Sequence, residues 1–231
     1  MPILTILSMR LKKYHTISID WRGGNYCGLT VDSIYDKKCV DVSMPGYTAK
    51  ALHRFQHPTP KRHQHAPHDL TSPAYGSRFQ YSQTELDLPT LDPVGMQRFQ
   101  SISGTLLYYY RSVNPTMLPD LNYISMKQSK PTAHNITKCN LMLDHVATYP
   151  DVVIGYHKSD MILNGDTDGA YLVLPKARIR IAGHFYISNH PPATDTPKPK
   201  LNGPVLTLFQ TQKNVVASAV EAEIGGMFLN G

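Results

Sequence analysis

The sequence predicts an α+β chain in which a helical connection region is followed by an antiparallel sheet with one helix packed on it. Three observations lead there. Met96, Phe99, Ile102, Leu106 and Tyr110 recur at helical spacing after a proline at position 93. Further on, the apolar run Met161, Ile162, Leu163 is followed by Ile179, Ile181, Phe185 and Ile187 on odd positions, then by Val205, Thr207 and Phe209, giving three strands. The chain then returns to helix over 215–229, where Glu221 and Glu223 sit.

Composition bounds the rest. With 231 residues, 41% hydrophobic and 17% charged, the chain is long enough for one large or two small cores, while 18 prolines imply long irregular connections. The net charge of +6 suits a polyanionic partner without naming one. Cys27, Cys39 and Cys139 are too scattered for a zinc site or a disulfide framework, which points to a reduced, intracellular setting, cytoplasmic or nuclear. The segment Met1 to Lys13 turns basic after its apolar residues, the reverse of a signal peptide, and no apolar run has the length of a membrane span. Without a secretory signal, the sequon Asn135, Ile136, Thr137 reads as chance.

Taken in order, Tyr14 to Asp20 alternate weakly, as an edge strand would. Tyr26 to Ile34 and Cys39 to Met44 form a hairpin about Asp36, Lys37 and Lys38, ended by Pro45 and Gly46. Tyr47 to Gln56 is a short helix with Tyr47, Leu52 and Phe55 near one face. Residues 58–92, rich in Pro, His, Gln, Ser and Thr, read as a surface linker. His53, His57, His63, His65 and His68 crowd there beside Lys61 and Arg62; zinc or copper binding is one reading and a solvated basic loop the favoured one, with phosphate contact as its function. Helices follow over 93–112, 115–127 and 132–149. Of Tyr108, Tyr109 and Tyr110, one is expected to be buried and the others half exposed, with base stacking as the alternative. Val152 to Tyr156 is expected to hairpin with the strand that starts at Met161, and the proline-rich loop 190–201 joins the second and third strands of the sheet.

Three pieces then carry a resemblance. Asp168, Gly169, Ala170, the segment Lys176 to Ser188, and Val216 to Glu223 together resemble the ribonuclease H region of copia-type retrotransposon polyproteins. Tyr26 to Phe55 is similar to the segment downstream of that family's polymerase site, and Phe99 to Pro115 to its thumb-to-connection segment. The resemblance implies four blocks: 1–57, a hairpin and thumb helix; 58–92, the linker; 93–150, a helical connection; and 151–231, a partial ribonuclease H-like domain.

It also implies a chemistry. Carboxylates on the first strand and the helix would hold magnesium for hydrolysis of RNA in an RNA-DNA hybrid. Asp168 and Glu223 are the implied catalytic and metal-binding pair. Asp166 and Glu221 are the alternates: a two-residue step keeps Asp166 and Asp168 on one face, whereas Glu221 and Glu223 lie about 200° apart around a helix. Lys61, Arg62, Arg178, Arg180 and Lys198 would contact phosphates. The later Asp-Asn motif of such nucleases and the paired aspartates of the polymerase do not occur in the sequence. The expectation is therefore an internal piece of a polyprotein that binds hybrid or duplex with weakly held or absent magnesium and does not cut it. Its alternatives are a purely nucleic-acid-binding module and a decayed element with no selected function.

Overall fold

The computed structural model describes residues 2–20, 24–68, 88–174, 178–190, 199–212 and 216–230. It is a mixed chain of helices and two antiparallel sheets. Helix α1 (Pro2–Lys12) precedes the first sheet, whose strand order is β1 (Asn25–Tyr26), β2 (Leu29–Ile34), β3 (Cys39–Ser43) and β4 (Val153–His157). The β1–β2 turn is Cys27-Gly28 with φ of 52° and 81°, the left-handed pair that a two-residue hairpin requires and that glycine adopts without strain. The predicted hairpin about Asp36, Lys37 and Lys38 forms between β2 and β3, while Tyr26 falls on the separate strand β1, cut from β2 by the Cys27-Gly28 turn. Tyr14 to Asp20 form no strand; the outer edge of β2 is taken instead by residues 24–26, with the Val31 N–H donating to Gly24 O at 2.8 Å.

The helices are α2 (Tyr47–Arg54), α3 (Pro93–Ser112), α4 (Leu118–Ser125) and α5 (Ala133–Thr148). Their ends follow local chemistry. The Asp92 carboxylate accepts from the Gly95 N–H at 2.9 Å with Pro93 in the first turn, and the Asn135 side chain accepts from the Thr132 N–H at 2.8 Å. Phe99, Ile102, Leu106, Tyr109 and Tyr110 of α3 meet Leu121 and Ile124 of α4 and Cys139, Met142, Leu143 and Val146 of α5 in one core, closed by Met44, Ala51 and Phe55. Tyr109 and Tyr110 are fully buried, while Tyr108 is 43% exposed and donates its hydroxyl to Cys27 O.

Strand β4 departs from expectation. It does not hairpin with the strand after it but pairs with β3, in register from Ser43 opposite Val153 to Cys39 opposite His157. The open edge of β3 offers unpaired backbone groups beside the helical core, and β4 satisfies them as the chain leaves α5. Met161, at φ 63°, lies just before the next strand begins.

The segment 57–68 is not a free loop. His57 Nε2 lies 2.7 Å from Asp144 Oδ1, the Gln64 N–H donates to Thr148 Oγ1, His65 meets the Tyr149 hydroxyl at 2.6 Å, and His68 lies 2.7 Å from Asp120. His57, His65 and His68 thus fix the segment to α4 and the end of α5. Residues 69–87 of the expected linker lie outside the described residues.

The second sheet has the order β5 (Ile162–Leu174), β6 (Arg178–Ser188), β7 (Pro204–Thr211), all antiparallel, with α6 (Ala219–Asn230) packed mainly on β5. Ile179, Ile181 and Ala222 form the small core beneath the helix. A Cβ on Gly169 would lie 2.7 Å from Ala222 O, so a glycine is what lets helix and strand approach this closely. Asn202 holds the two sheets together: its Nδ2 donates to His157 O and Ile187 O, and its Oδ1 accepts from the His157 N–H.

Candidate functional site

The acids implied by the resemblance lie on the strand and the helix expected of them. Because Gly169 faces Ala222, the alternation of β5 sends its neighbour Asp168 to the opposite face, away from α6. Asp166, two residues earlier, follows it. Both border a cleft of about 330 Å³ between the sheet and Pro115–Pro119, which also touches Ala182, His184, Thr207 and Phe209. Glu223 stays on the other side, exposed on α6 one position past the buried Ala222. The strand-and-helix order is present, with Asp168 turned to the face of β5 opposite α6.

Two ligands of one magnesium ion must both reach it at about 2.1 Å, which ties the implied ion to the separation of the Asp168 and Glu223 carboxylates. Among the described residues no group of three or more His, Cys, Asp or Glu side chains is placed to hold a metal ion. Glu221 has a different task. Its carboxylate accepts from the Ala217 N–H at 2.6 Å, while Ser218 Oγ accepts from the Glu221 N–H at 3.2 Å, so the two residues close the N-terminus of α6.

In the cleft, Asp166 stands opposite His184 in the β5–β6 register and its charge adds to the burial that pushes the Tyr186 hydroxyl upward. Thr207, opposite His184 on β7, has a buried hydroxyl without a hydrogen-bond partner among the described residues. The residues His184 and Thr207 were not singled out by sequence reasoning. The signal was present in the register, because a period of two puts Asp166, His184 and Thr207 in one row once the meander is drawn.

The basic residues divide. Lys61 and Arg62 are exposed on the segment pinned to α5. Arg180 faces inward, its guanidinium 5.7 Å from the Phe209 ring centroid; burial lowers its pKa, opposed by the nearby Asp120 and Tyr123. Asp120 in turn is pushed up by burial and pulled back by His68 and Arg180, so the three form a charged link between the 57–68 segment, α4 and β6. Lys198 and the side chain of Arg178 lie outside the described residues.

A cationic face that sequence reading did not single out lies on α2 and α3. Neither helix contains an aspartate or glutamate. Lys50 and Arg54 are one turn apart and exposed on α2, and Arg54 Nη1 reaches Thr105 Oγ1 of α3 at 3.5 Å. Arg54 and Arg98 approach the Phe55 ring at 5.5 and 6.0 Å, with Arg98 also donating to Phe55 O at 2.7 Å. Tyr108 and Arg111 continue the exposed surface of α3. The nearest helix-capping acid, Asp92, is occupied by the Gly95 N–H. The absence of acids over 47–56 and 93–112 is legible in the sequence, and it is the pairing of α2 with α3 through Thr105 that turns it into a surface.

No protein-family model, curated protein or solved structure matches the chain.

Proposed function

We propose that the chain is a non-catalytic nucleic-acid-binding module of the copia-type ribonuclease H kind, which takes an RNA-DNA hybrid or duplex by its phosphates and leaves it uncut. The α2–α3 face carries this reading. Lys50, Arg54, Arg98 and Arg111 stand on two helices that themselves carry no acidic residue, beside the half-exposed ring of Tyr108. Cations of this kind contact phosphates without reading sequence, and they need no metal to do so. The opposite orientations of Asp168 and Glu223 support binding without cleavage, because in-line hydrolysis by paired metal ions needs acids gathered on one side of the scissile phosphate.

Four phosphate contacts would give a log–log salt slope of about −3.5. The test measures fluorescence anisotropy of a labelled RNA-DNA hybrid between low and moderate salt, with Lys50→Gln, Arg54→Gln and Arg111→Gln made singly. Each change is expected to flatten the slope by about one unit. Binding that ignores salt, or three variants that bind like the parent, would refute the assignment. In parallel, the hybrid is incubated with magnesium or manganese. Cleavage by the parent chain that both Asp168→Asn and Glu223→Gln abolish would show that the acids do act together.

A further inference from the structure

Helix α6 is apolar on two sides. Ala222 and Gly226 seat it on β5 and β6, while Val220, Ile224, Met227 and Phe228 point away from the sheet at i, i+4, i+7 and i+8, exposed by 67%, 59%, 64% and 84%. A second apolar stripe on a helix already seated by its first is a surface that calls for a cover. Nothing else in the described chain covers this stripe. We infer that a second copy of the chain does, through an antiparallel α6–α6 pair whose two-fold axis passes beside Ile224.

Val220, Ile224 and Phe228 of the stripe are self-complementary under that symmetry, with Met227 at the flank. Turning the helix about Ile224 places the smaller Val220 against the large, most exposed Phe228 of the other copy and Ile224 against itself, the mutual arrangement of an isologous contact. Charge agrees. The only ionisable residues on the helix are Glu221 and Glu223, and the same rotation sets them opposite Met227 and Gly225, so no carboxylate faces another. The small residues at 222, 225 and 226 are turned to the sheet, leaving the large ones to interdigitate between helices about 8–10 Å apart. A Phe-sized side chain carries about 150–250 Å², so the four residues offer on the order of 400–500 Å² per copy. That totals roughly 1,000 Å², the low end for a specific interface, which fits a dimer that dissociates on dilution rather than an obligate one.

The register makes the test sharp. In a Cys27→Ser, Cys39→Ser background, Ile224→Cys lies on the axis and is expected to form an intermolecular disulfide under mild oxidation. Val220→Cys should not, because its two copies are offset by eight residues, about 12 Å along the helix, beyond the span of a disulfide. Light scattering of the unaltered chain over roughly 1–100 µM is expected to show the mass rising from monomer toward dimer, and Ile224→Lys or Phe228→Lys to hold it at monomer with an unchanged circular dichroism spectrum. Hybrid binding through α2–α3 should survive in both lysine variants. A monomer throughout the range, a dimer indifferent to both lysines, or cross-linking at Val220 as readily as at Ile224 would overturn the proposal.

Discussion

Glycine 169 and glycine 104 make a matched pair for testing how α6 is seated. At Gly169 an added methyl would stand 2.7 Å from Ala222 O, 2.9 Å from its carbonyl carbon and 3.2 Å from Glu223 N. All three are backbone atoms of a helix, so none can swing aside, and α6 must lift as a body. Lifting it loosens the contact that buries Ile179, Ile181 and Ala222, which are exposed by no more than 1%. Overpacking of this kind costs about 1–3 kcal/mol, and partial re-exposure of two isoleucines, each worth roughly 1.5–3 kcal/mol when fully buried, puts Gly169→Ala at the upper end. At Gly104, inside α3, the same methyl meets nothing within 4 Å, and Gly→Ala in a helix interior stabilises by about 0.5–1 kcal/mol. Urea unfolding of the two variants beside the parent should therefore show shifts of opposite sign. A Gly169→Ala protein as stable as the parent would mean that α6 does not rest on that strand, and the separation of Asp168 from Glu223 would fall with it.

Two further outcomes follow from the helical core. Burial pushes the Cys139 thiol up to about 12, against a smaller lowering by Arg98, so at pH 8–9 a thiol reagent should modify exposed Cys27 quickly and Cys139 only on unfolding; rapid labelling of Cys139 would contradict the packing of α5. The folded value lies above the unfolded one, so only the unfolded chain releases this proton as pH passes about 9, and stability should fall from there toward pH 12. Tyr110 is fully buried with no hydrogen-bond partner for its hydroxyl among the described residues, so Tyr110→Phe should raise stability by about 1 kcal/mol in the same urea assay, and a loss of that size would reveal a partner for the hydroxyl.

The elements that could be read from sequence are those whose side chains repeat at one period and whose ends carry their own stop signals. Helix α3 shows both, with Pro93 and Asp92 at its start and Phe99, Ile102 and Leu106 along its buried stripe. The meander β5–β6–β7 and the helix after it were legible for the same reason. Pairing between distant segments was not. Nothing in Val153 to His157 distinguishes β3 from β5 as its neighbour, since either would accept a short alternating strand, and the choice is made by the open edge beside the helical core. The acidic pair turns on a finer point. Spacing places Asp168 on a strand and Glu223 on a helix, but which face of the strand the helix covers was decided by Gly169, whose missing side chain turns Asp168 away. Histidines at 57, 65 and 68 read as a loose cluster because their partners Asp144, Tyr149 and Asp120 lie 50 to 90 positions downstream.

The pairing of β4 with β3 also sets a schedule for the chain as it is made. Ser43 and Val153 are neighbours in the sheet, yet about 110 residues separate them. At the usual 5–20 residues per second, a ribosome needs roughly 5–20 s to deliver β4 after β3 has emerged. Through that interval the three-stranded precursor holds an unsatisfied edge while α2, α3 and α4 are delivered, and α5 completes the helical core only a few residues ahead of β4. The first sheet is therefore the last part of its own layer to close. A protease or a gene break falling between α5 and β4 would separate the chain at an exposed point but leave each piece with half of a hydrogen-bonded ladder, and neither half could be released intact.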